Sequence, residues 1–122
     1  MGAMGKKSWI IPDCELPHAG EGVLKGHESV IIVNDNEEDI EISVTLYFTD
    51  EPCYNDIKWV VKGKSVRCFR MNEKKDMSGY AVPYETQYAM KIESDKPFVL
   101  QYGRLDNRQT NLAYYTTLGY HD

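Results

Sequence analysis

The chain has 122 residues, 42% hydrophobic and 27% charged, with 19 acidic against 14 basic side chains and a net charge of -5. That length suits one domain able to bury roughly two thirds of its unfolded surface, and no apolar run approaches the roughly 18 residues of a membrane-crossing helix. The acidic balance disfavours non-specific nucleic-acid binding, which rests on neutralising phosphates. Cys14, Cys53 and Cys68 are odd in number and irregularly spaced, so they form neither a disulfide framework nor a zinc signature. Reduced thiols in the cytoplasm are the simplest account of them. The opening "MGAMG" reads as a cloning remnant and lacks the apolar stretch of a secretory signal. The domain is therefore expected over residues 6–122.

In chain order the period is that of strands. "KKSWIIP" opens the set. A long irregular segment follows, "PDCELPHAGEGVLKGHE", rich in glycine and carrying two histidines; long loops in compact domains are often functional. "ESVIIVN" is a continuous β-branched run that suits a central strand. "DIEISVTLYF" alternates, with Ile40, Ile42, Val44, Leu46 and Phe48 on one face. "DIKWVV" and "KSVRCFRM" follow, then "TQYAMKIE", which places Tyr88, Met90 and Ile92 together. "PFVLQYGRL" and "LAYYTTLGY" complete the set. Turn signals separate the runs. Asn34-Asp35-Asn36 and Gly63 between lysines both read as hairpin connections, and "SDKP" reads as the break between "TQYAMKIE" and "PFVLQYGRL". The expected fold is all-β: a single-domain antiparallel β-sandwich of about eight strands, jelly-roll-like.

The chemistry concentrates at the end of "PFVLQYGRLDNRQ". Arg104, Asp106 and Arg108 are two apart, so an extended strand turns them to one side. Two planar guanidiniums and one carboxylate leave a positive site able to hold vicinal hydroxyls or a carboxylate, and Gln109 adds an amide. The same three residues also suit an ion network at a strand end or subunit interface. His27 and Glu28 point to opposite faces. His27 offers a donor and an acceptor to a hydroxyl, and Glu28 is a partner for an arginine. Tyrosines and Trp9, beside the long loop, offer rings for stacking on sugar C–H faces or for packing. Asp50, Glu51 and Asp56 lack calcium-loop spacing. No hydrolase elbow, zinc-protease motif or phosphate loop is present. No enzyme activity, metal or cofactor is expected.

Six landmarks in order carry a resemblance: "SWIIPDCELP", "GHESVIIVN", "VTLYFTDEP", "VRCFRMNE", "VPYETQYA" and "VLQYGRLDNRQ". The last contains Gln-x-x-Arg-Leu-Asp-x-Arg-Gln. Together they resemble the sensory rhodopsin transducer family of small soluble β-sandwich proteins, from about Ser8 to Tyr120. The resemblance implies a cyclic homo-oligomer, a tetramer, and adds Arg70 to the candidate residues. It also implies one of two roles: binding a sugar-like metabolite, or acting as the soluble signalling partner of a membrane photoreceptor. The expected ligand site combines Trp9, His27, Glu28, Arg70, Arg104, Asp106, Arg108 and Gln109, with a sugar-like ligand as the leading expectation.

Overall fold

Alternating burial dictates where this chain forms sheets, and the longest alternating runs form the longest strands. A computed structural model describes residues 2–20, 23–107 and 113–122. Its strands are β1 (Lys6–Glu15), β2 (His27–Asn34), β3 (Ile40–Phe48), β4 (Tyr54–Val61), β5 (Ser65–Arg70), β6 (Gln87–Asp106), β7 (Ala113–Thr117) and β8 (Tyr120–His121). One turn of 3-10 helix, Lys74–Met77, lies between β5 and β6. Every strand pairing among the described residues is antiparallel. One sheet runs β4-β3-β6-β1-β8; the other runs β5-β2-β6-β7, so β6 belongs to both. The inward faces form one core, including Val30, Ile32, Ile42, Val44, Leu46, Ile57, Met90, Ile92, Phe98 and Leu100. Trp59 of β4 stacks on Phe69 of β5, centroids 4.2 Å apart, and so joins the two sheets. The fold is the expected all-β sandwich.

Four boundaries differ from the sequence reading. "TQYAMKIE" and "PFVLQYGRL" are one strand of 20 residues, not two. Its first part pairs with β3 as far as Ser94, and its second pairs with β2 from Val99. The turn-forming residues between them bend the strand where it changes sheets, as sandwich corners require. Pro97 sits at that corner, and its carbonyl accepts a bond from Asn36 Nδ2 at 2.9 Å. Second, β1 runs on through Pro12 to Glu15, absorbing the proline in a register shift between Ile11 and Cys14.

Third, neither turn is a hairpin. β2 and β3 lie in different sheets, as do β4 and β5, so both connections cross from one sheet to the other. Turn residues specify a reversal and leave open which strands then pair. The two crossings are bonded together: Lys64 N–H donates to the Asn36 carbonyl at 2.9 Å and Gly63 N–H to Asp39 Oδ1 at 2.9 Å. A Cβ on Gly63 would lie 2.0 Å from the Glu37 carbonyl oxygen, so only glycine fits there. Fourth, "LAYYTTLGY" divides. Ala113–Thr117 joins β6, and Tyr120–His121 crosses to β1.

Candidate functional site

Glu28 lies on the inward face of β2 and is fully buried. Its neighbour His27 faces outward, with Nδ1 donating to the Lys25 carbonyl at 2.8 Å, as the alternation of a strand demands. A buried carboxylate needs donors, and among the described residues three reach it. Tyr88, from the first part of β6, donates to Oε1 at 2.6 Å. Tyr102, from the second part, donates to Oε2. The Glu15 N–H of β1 donates to Oε2 at 3.0 Å. One carboxylate thus ties β1, β2 and both parts of β6. Burial pushes its pKa above the ordinary glutamate value, and the three hydrogen bonds and the nearby Arg104 charge offset this only in part. Burial and the Glu28 charge push both tyrosines up. Cys14 is buried alongside, and burial pushes its thiol up, which disfavours the reactive thiolate.

Arg104 pairs with Glu28 across the β2–β6 ladder and with Tyr115 across β6–β7. Its Nη1 donates to the Glu15 carbonyl at 3.1 Å, and its guanidinium lies 5.1 Å from the centre of the Tyr115 ring. Burial disfavours its charge, but the surrounding phenols and carboxylates hold the pKa up. Tyr102 and Tyr115 both continue into a cleft of about 530 Å³, walled also by Ile11, Pro12, Asp13, Thr117 and Tyr120. That volume lies within the roughly 300–1,000 Å³ of small-molecule sites. A protein interior therefore connects to an aromatic-walled cleft through two tyrosines, one bonded to a buried acid and one facing an arginine.

The structure brings Glu28 and Arg104 of the expected set together. Asp106 is the last residue of β6, paired with Ala113. Trp9 is core rather than cleft wall. It is 4% exposed, its indole N–H donates to the Lys6 and Phe98 carbonyls, and its ring packs on Phe98 and His121. Arg70 pairs with Ser29 on the opposite flank of β2 from Arg104, and its N–H donates to Asp76 Oδ2 at 2.9 Å. Arg108 and Gln109 lie outside the described residues. The sequence reading missed Tyr88 as a site residue and placed Tyr102 only among many rings. Their shared inward parity with Glu28 becomes visible only once β2 and β6 are known to pair. It also missed Asn107, buried at the end of β6, whose amide bonds Leu24 and Gly20 and so ties down the long loop. Among the described residues no group of three His, Cys, Asp or Glu side chains could hold a metal ion.

A family model described as the Anabaena sensory rhodopsin transducer matches residues 4–121. The chain belongs to the Anabaena sensory rhodopsin transducer family. A solved structure from Thermotoga maritima, described as Thermotoga maritima 1070, is 27% identical, with 97% of this chain and 96% of that one covered at a TM-score of 0.87. The Anabaena sensory rhodopsin transducer itself is 26% identical, with 80% of this chain and 95% of that one covered at 0.68. No curated protein matches. Within this member of the transducer family, Gln101, Arg104, Leu105 and Asp106 of the motif lie on the second part of β6. Arg104 is the residue through which that motif meets the buried Glu28 network. Among the described residues no helix is long and apolar enough to cross a membrane.

Proposed function

We propose that this member of the transducer family is a non-enzymatic, cytoplasmic signalling module. In this reading it binds a sugar-like metabolite in the tyrosine-walled cleft and works as a homotetramer. The observation that carries the reading is the junction of Arg104, Tyr102 and Tyr115. An aromatic face for sugar C–H groups stands there beside a fixed cation, with Asp13 and Thr117 as polar wall. The test is a thermal-shift screen against sugars, sugar acids and sugar phosphates. A ligand present at about 100 times its dissociation constant adds roughly 2.7 kcal/mol to stability. The expected hit disappears in Tyr115→Ala and in Arg104→Ala while both variants stay folded.

A second reading has its own support. Tyr114, Leu118 and Tyr120 are all more than 60% exposed near the same cleft, and a structural relative is described as a transducer of a sensory rhodopsin. In this reading the surface around β7 and β8 docks on the cytoplasmic face of a membrane photoreceptor. An empty sugar screen together with loss of photoreceptor binding in Leu118→Asp selects it.

A further inference from the structure

The two sheets present different outer faces. On the β4-β3-β6-β1 sheet the outward positions carry Glu41, Lys58, Lys91 and Glu93. Lys91 pairs with Glu93 at 3.2 Å, and Lys58 Nζ donates to Ser43 Oγ at 2.7 Å. Such a face suits water. The outer face of the β5-β2-β6-β7 sheet is built otherwise. Glu28, Val30 and Ile32 of β2 point inward and are buried. Ile31 and Val33 therefore point outward, with their ladder partners Cys68 and Val66 on β5 and Gln101 and Val99 on β6. Val33 is 41% exposed and Val66 63%, and Cys68 and Gln101 are exposed as well. Tyr114 of β7 extends the face beyond Gly103, where an added Cβ would lie 3.4 Å from the Tyr114 hydroxyl. Among the described residues these outward positions hold no carboxylate, and Arg70, at one corner, is their only arginine or lysine.

We propose that this face docks on the same face of a second copy of the chain. Such a contact rests on the homo-oligomer of the reading above and is independent of the sugar. The chain carries a net charge of -5, so much of its surface repels a second copy, and a face without carboxylates is where two copies meet without that repulsion. A basic partner would be drawn to the acidic surface instead. A nucleic acid or an anionic lipid surface needs more cations than Arg70 supplies. Aliphatic rows on a sheet suit a second sheet laid across them. A contact of like with like has a two-fold axis. An axis through the middle of this face sets Ile31 and Gln101 of one copy against the same two residues of the other. The Gln101 amide both donates and accepts, so its counterpart across the axis satisfies it.

Two thiols make the contact measurable. Cys68 lies inside the face, and Cys53 lies outside it, between β3 and β4; both are exposed in the single chain. Labelling with a maleimide is followed at both, with Cys53 as the internal reference, while light scattering gives the assembled mass. Where about nine tenths of the copies are assembled, Cys68 should label about tenfold more slowly relative to Cys53 than in the diluted chain, because reaction follows the population of free copies. Gln101→Glu sets two carboxylates against each other near the axis. It should lower the assembled mass and restore the Cys68 rate. Val60→Glu, on the charged outer face of the other sheet, should do neither. A single-copy mass at every concentration sinks both this contact and the homo-oligomer. Assembly with an unchanged ratio of Cys68 to Cys53 labelling leaves the homo-oligomer standing and overturns the contact at this face. So does full mass with a protected Cys68 in Gln101→Glu, or an equal loss of mass in Val60→Glu, where added charge rather than the face breaks the assembly.

Discussion

Glu28 is the residue on which several elements converge, and its titration is open to measurement. Burial outweighs its hydrogen bonds, so the folded chain holds its proton above the ordinary glutamate value of 4.5. Between that value and the raised one, the folded protein binds more protons than the unfolded chain. Stability from this group therefore falls as pH rises through the window and levels off above it. Asp35 and Glu38 run the other way. Hydrogen bonds and lysines hold them low, so their contribution is complete above their ordinary values of 3.8 and 4.5 and is lost as pH falls through the lowered ones. The two effects separate on the pH axis. Glu28→Gln keeps the shape and an acceptor for a tyrosine hydroxyl but cannot ionise. Urea melts of both proteins from about pH 5 to about pH 8 should show the difference between them moving in favour of Glu28→Gln as pH rises. A difference that stays constant over that range means Glu28 titrates like an exposed glutamate.

At the scale of the element, β6 and the paired crossings decide the architecture. Asn34 is buried where the crossings meet. Its Nδ2 donates to the Glu38 and Val61 carbonyls at 2.9 and 3.0 Å, and its Oδ1 accepts from the Asn36 N–H and side-chain amide at 2.9 and 2.7 Å. Asn34→Ala strands at least one buried carbonyl and should cost about 2–3 kcal/mol. Asn34→Asp keeps the acceptor but aims a carboxylate at two carbonyls. It should destabilise at least as much as alanine does, which denaturant melts read directly. These elements also show what the sequence makes legible. Period-two alternation marks β2, β3 and β4 well, because each buries one face and the pattern is local. It does not reveal that "SDKP" lies inside a strand, since a strand that changes sheets needs turn-forming residues at its bend. Nor does it reveal which strands pair. For the same reason Arg104 and Glu28 stand out singly in the sequence, but their meeting with Tyr88 and Tyr102 depends on long-range register. Trp9 shows the converse: an amphipathic ring next to a loop reads as a platform, while the two carbonyls that take its N–H come from positions far apart in the chain.

For the whole molecule, assembly depends on how the sheet edges are protected. An open edge invites another strand, and proteins guard edges with charge, short strands or covering loops. Among the described residues, three of the four edges carry such protection. β4 is covered at Lys58, whose N–H donates to Ser78 Oγ at 3.0 Å. β5 carries Arg67, and Asp76 caps its Arg70 N–H. β8 has only two residues. The remaining edge, β7, has five residues, all exposed, with no charge and no proline. In the homotetramer proposed above, it is the edge through which copies of the chain would join. Antiparallel self-pairing there would set Tyr114 against Thr116 of the partner, an aromatic and β-branched pair that sheets favour. No like charges would meet at that edge despite the net charge of -5. Thr116→Lys places one cation on each copy at this edge and should lower the assembled mass measured by light scattering. A lysine at Val60, an exposed position on the guarded β4 edge, should leave that mass unchanged. If both variants keep the mass of the unaltered protein, assembly does not run through β7. If both lower it equally, added charge rather than the edge is what breaks the assembly.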